Sequence, residues 1–74
     1  MQVIFWKTTP TGSEAMGSII FKAGVLNIDP TVDVYAQDML KGVDRSAPGQ
    51  IERVMRAAPQ RYDGHYLRAE FVNE

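Results

Sequence analysis

The segment Arg56-Ala57-Ala58-Pro59-Gln60-Arg61-Tyr62-Asp63-Gly64-His65-Tyr66-Leu67-Arg68-Ala69-Glu70-Phe71-Val72 sets the tightest limit on how this chain folds. It reads as a helix end, a proline stop, an Asp63-Gly64 tight turn and an alternating strand. In residues 65–72, His65, Leu67, Ala69 and Phe71 fall on one side, and Tyr66, Arg68, Glu70 and Val72 on the other. A strand with an apolar side needs a sheet to join. The other strand-like sequence lies near residue 1, before two helical stretches, so the end of the chain must return to its beginning to bury Leu67 and Phe71.

That beginning is Val3-Ile4-Phe5-Trp6, a strand by its β-branched and aromatic content. Val3 and Phe5 share one face, Ile4 and Trp6 the other. Both faces are apolar, so either the strand is covered on both sides or one side awaits a partner chain. If the helices cover Val3 and Phe5, Trp6 faces outward and marks an interface. Residues 8–17, rich in Thr, Pro, Gly and Ser, read as a long loop or arm. Ser18–Lys22, which includes Ile20, reads as a second strand. Ala23-Gly24 either turns it into a third, Val25–Ile28, or bulges a single bent strand.

The helices are well punctuated. Asp29 suits an N-cap and Pro30 the first helical position. Val32, Tyr35, Ala36, Met39, Leu40 and Val43 then recur at helical spacing, and Gly42 suits the position just past the end. This predicts a helix over residues 30–42. Ser46 or Ala47 opens a second over residues 48–58, with Ile51, Val54, Met55 and Ala58 as its buried stripe and Pro59 as its stop. The order β-β(-β)-α-α-β predicts a single α+β domain over residues 1–74. It is a small two-layer sandwich: an antiparallel or mixed sheet of three to four strands with two helices on one face.

Composition narrows the function classes. At 74 residues the core is small, and such domains often borrow stability from a partner. There is no cysteine, so neither a disulfide framework nor a thiolate zinc site is available. No apolar run is long enough to span a bilayer, and the first residues do not read as a signal peptide. The expectation is a soluble protein of the cytoplasm. The formal charge of −1 gives no global pull toward nucleic acid. Residues 1–44 carry three lysines against five carboxylates, whereas residues 45–74 carry five arginines and no lysine against four carboxylates.

No catalytic constellation stands out. Asp63 and His65 flank Gly64, but a nucleophilic site needs a third group, and Ser46 is accounted for as a helix cap. One histidine cannot build a zinc site alone. The Gly12 and Gly17 segment lacks the lysine and the following helix of a phosphate loop. The expectation is no catalysis, no cofactor and no metal. What remains is binding. Arg56, Arg61 and Arg68 interleave with Tyr62 and Tyr66, a combination enriched at protein interfaces and also able to track phosphates and stack on bases. With Ile4, Trp6 and Ile20 they make up the candidate partner-binding set. The first reading is a protein partner or a homo-oligomer; the alternative is a nucleic-acid-binding accessory protein.

The run Ala58-Pro59-Gln60-Arg61-Tyr62-Asp63-Gly64-His65-Tyr66-Leu67-Arg68-Ala69 resembles the C-terminal end of small proteins from tailed-phage genomes, covering about a sixth of the chain. The resemblance implies no catalytic residue. It implies a phage setting, in the virion or the host cytoplasm, where short chains serve as structural or assembly proteins.

Overall fold

A computed structural model describes residues 1–73. Four strands form one antiparallel sheet in the order β3-β2-β1-β4: β1 Gln2–Thr9, β2 Gly12–Lys22, β3 Val25–Ile28 and β4 Leu67–Val72. Between β3 and β4 come a 3-10 turn, Pro30–Val32, and two helices, α1 Asp33–Met39 and α2 Pro48–Arg61. The last strand does return to the first: Val3 lies opposite Phe71 and Phe5 opposite Ala69. The fold is a small α+β sandwich with both helices on one side of the sheet.

The core lies between that side and the helices. Val3, Phe5, Ile19 and Ala69 from the sheet meet Val32, Ala36 and Met39 from the first helical segment and Ile51, Met55 and Ala58 from α2, all buried. Phe5 stacks on Tyr35 at 5.2 Å between ring centroids and meets Tyr62 edge-on at 5.3 Å. Both helical stripes face this core, except that Val54, expected in the buried stripe of α2, is only half-buried and lies outside the core cluster.

Several local expectations need correction. Residues 8–17 are not a loop. β1 and β2 pair as far as Thr9 opposite Gly12, leaving Pro10 and Thr11 as the tip. The register shifts between Phe5 and Trp6, where Met16 is the extra residue of a bulge. Threonine suits a strand as well as a loop, and the backbone pairing outweighs the Gly and Ser content. The second strand therefore starts at Gly12 instead of Ser18. Ala23 and Gly24, at φ 53° and 75°, form the two-residue turn into β3, so the bent-strand alternative does not hold.

Helix boundaries also move. Asp29 does cap, accepting from the Thr31 amide at 2.9 Å, but the turn it starts is 3-10, and α1 ends at Met39. Ala47, not Ser46, is the N-cap of α2; Ser46 instead donates its hydroxyl to Asp44 at 2.7 Å. Pro59 does not stop α2, which runs on to Arg61. A proline this near the end removes one amide donor, and the last turn is held from outside by contacts of Arg61 and Tyr62 described below. Finally, Asp63-Gly64 is not the turn tip. Asp63 bridges to Arg68, the Gly64 amide donates to the Leu67 carbonyl at 2.9 Å, and His65-Tyr66 form the tip. The strand thus begins at Leu67, and His65 and Tyr66 lie outside its alternation.

Candidate functional site

The helices cover one face of the sheet. The other face carries no element among the described residues. Its residues follow from the register. Asn27, Ile20, Gln2 and Val72 form one row; Ser18, Ile4 and Glu70 the next; Ala15, Trp6 and Arg68 a third. Beyond Ile20, Lys22 sits opposite Val25. Ile4, Trp6 and Val72 are half-buried by their neighbours, while Ile20 is 39% and Val25 55% exposed. This is an apolar diagonal across a helix-free face of the sheet, bordered by Lys22, Arg68 and Glu70. A shallow cavity of about 360 Å³ lined by Met1, Gln2, Ile20 and Lys22 opens at one end of it.

Trp6 is held in place on this face. Its indole nitrogen donates to the Glu70 carboxylate at 3.2 Å, and the Arg68 guanidinium lies 5.7 Å from its ring centroid. The alternation of β1 makes this arrangement. Phe5 must enter the core, so Trp6 must leave it, and β4 brings Arg68 directly opposite.

The arginine and tyrosine residues do not form one cluster. Arg68 shares the open face with Ile4, Trp6 and Ile20. Tyr66 is 74% exposed at the turn tip, edge-on to His65 at 4.8 Å. Arg56 pairs with Glu52 at 3.2 Å and lies 5.0 Å from the Phe71 ring centroid. Arg61 and Tyr62 are engaged within the fold. Arg61 reaches the Asp38 carboxylate at 2.9 Å, and the Tyr62 hydroxyl donates to the same carboxylate at 2.5 Å. The hydrogen bond from Tyr62, and then that from Arg61, holds the Asp38 carboxyl below the usual carboxylate range. Burial, reinforced by the Asp38 hydrogen bond, pushes the Tyr62 phenol up to about 12. The group ties the end of α2 to α1. Asp38 is the residue that sequence reasoning missed, because its partners lie 23 and 24 positions away with no local pattern linking them.

Among the described residues, no group of three or more His, Asp or Glu side chains is placed to hold a metal ion, and no helix is long and apolar enough to cross a membrane. Asp63 and His65 lie at an exposed turn, where the His65 carbonyl accepts from the Thr8 hydroxyl at 2.7 Å. In comparisons with known proteins, no family model matches the chain, and neither a curated protein nor a solved structure shows significant similarity to it.

Proposed function

We propose that this chain is a non-enzymatic protein-interaction module, a structural or assembly protein, that docks through the helix-free face of its sheet. One observation carries the reading. Ile4, Trp6, Ile20, Val25 and Val72 lie on a sheet face that no described helix covers, while the opposite face carries the buried core residues Val3, Phe5, Ile19 and Ala69. A contiguous apolar patch bordered by charge is what protein contacts use. The resemblance of the C-terminal segment to tailed-phage proteins supports a virion or assembly setting for that docking.

The nucleic-acid alternative has less support. Arg56 and Arg61 are each paired with a carboxylate of the same chain, which lowers the positive charge they present. The borders of the open face carry both signs.

Site-specific photo-crosslinking in the producing cell tests the proposal. A photoreactive residue at Ile20 should trap a protein, either another copy or a different chain. The same residue at Val34, 78% exposed on the helical side, should not. Equal trapping from both sides, or none from the open face, would overturn it.

A further inference from the structure

We infer that the occupant of the open face is a second copy of this chain. It packs sheet to sheet about a two-fold axis that crosses the strands between the Ile4–Glu70 row and the Trp6–Arg68 row. The inference rests on the docking role proposed above and names its partner.

The register makes the face complementary to itself. Ile4 lies beside Glu70, and Trp6 beside Arg68, in adjacent rows of the same two strands. A two-fold axis in the plane between two such sheets, perpendicular to the strands and midway between these rows, keeps each strand over its own counterpart and exchanges the rows. Ile4 of each copy then rests on Trp6 of the other. Glu70 of each copy then meets Arg68 of the other. Such an interface is isologous: residue i meets j, and j meets i. Next to these, Ser18 and Ala15 face each other across the axis, and their small side chains leave room for the indole to lie between the sheets. The natural twist of the two sheets sets them at roughly 30° to each other without disturbing the exchange.

Charge argues for this occupant over another. The border of the patch carries a cation and an anion side by side, in the order that self-pairing needs. A strongly acidic or strongly basic partner would satisfy one and repel the other. The side chains are also prepared in the single chain. Trp6 is fixed by its hydrogen bond to Glu70 and by Arg68 beside its ring, which reduces the ordering cost on association. The contact is small. The strands have 8, 11, 4 and 6 residues, so at about 3.3 Å per residue and about 4.8 Å between strands the whole face is about 460 Å² per copy. Two faces bury less than about 1,000 Å² together, the range of weak, reversible association.

Charge reversal tests the register. Sedimentation of the purified chain should show a reversible dimer, twice the 8.3 kDa of one chain. Arg68→Glu leaves two anions, and Glu70→Arg two cations, at the contact. Each variant should dimerise roughly tenfold or more weakly than the native chain, while circular dichroism stays native. The two variants mixed in equal amounts should form a heterodimer, because each supplies what the other lacks. The double variant Arg68→Glu, Glu70→Arg should dimerise with itself.

A native chain that remains single up to about 1 mM overturns the inference, and so does a pair of variants that dimerise normally or fail to complement each other. If the open face then crosslinks to a different protein in cells, the docking role stands and only the second copy is wrong. If it crosslinks to nothing, both fall.

Discussion

Two faces of the same strand have opposite fates. On the inner side of β1, Val3 and Phe5 have no exposed surface, and Phe5 is enclosed by Tyr35 and Tyr62. On the outer side, Ile4 and Trp6 are half-covered, and Trp6 is bounded by polar groups, Glu70 and Arg68. The hydropathy of the four residues does not distinguish these sides. What distinguishes them is which side the chain's own helices can reach. The short α1 and the longer α2 cover one side of a four-stranded sheet and nothing more. No element among the described residues covers the second side, which leaves its apolar residues available for an intermolecular contact.

The largest expected effect comes from truncating the inner side. Phe5→Ala should cost about 3–5 kcal/mol, comparable to the whole stability of a small domain, and leave the chain largely unfolded by circular dichroism. Ile4→Ala, one position away, removes no fully buried side chain, and its folded chain should retain a cooperative thermal transition. If the two variants lost similar stability, the distinction between the faces would fail.

A smaller effect tests how the helical layer is seated on the sheet. Gly17 lies on β2 against the capped turn that follows β3. A Cβ there would overlap the Thr31 hydroxyl and come within 2.9 Å of the Asp29 carboxyl carbon. The Thr31 hydroxyl lies 2.8 Å from the Met16 carbonyl and 2.7 Å from the Asp29 carboxylate, so the turn has little freedom to yield. Gly17→Ala should therefore destabilise by about 1–3 kcal/mol in chemical denaturation. A neutral result would mean that the 3-10 turn moves independently of the sheet.

The smallest effect concerns the tie between the helices. Tyr62→Phe keeps the ring packing but removes the hydrogen bond to Asp38, at a cost of about 1 kcal/mol. It should also change the pH profile. The Tyr62 phenol, pushed up to about 12 from 10.0, favours the folded state fully below pH 10, and this contribution is lost as pH rises from 10 toward 12. Asp38 behaves oppositely. Its lowered pKa contributes stability above its ordinary value of 3.8, and that contribution disappears as pH falls through its folded value. Denaturant midpoints of the native chain should fall at both ends, and the alkaline fall should flatten in Tyr62→Phe. Identical alkaline profiles would remove Tyr62 as the cause.

The layers, the helix faces and the return of β4 to β1 are legible in the sequence because periodicity and caps carry them. Val3 and Phe5 alternate with Ile4 and Trp6; Val32, Ala36 and Met39 recur at helical spacing; Asp29-Pro30 opens the first helical segment. The missed features are those where one local cue competes with a long-range contact. The polar tract after Trp6 looks like a loop until its partner strand supplies hydrogen bonds. Pro59 looks like a stop until Asp38, from another helix, secures the turn beyond it. Asp63-Gly64 looks like a turn tip until pairing between Asp63 and Arg68 moves the tip to His65-Tyr66. For the site, the alternation of β1 makes the outward direction of Trp6 legible once the helices cover Phe5. That Arg61 and Tyr62 bind Asp38 while Arg68 joins Trp6 depends on which elements pack together, and spacing along the chain does not encode it.

Whether one face holds the fold and the other a partner is decided by sedimentation of a folded chain carrying Ile4→Ser and Trp6→Ser beside the native chain at the same concentrations. The native chain should move as a dimer, and the variant should keep its circular dichroism but move as a single 8.3 kDa chain. A variant that sediments like the native protein, or one that unfolds as Phe5→Ala does, would contradict it.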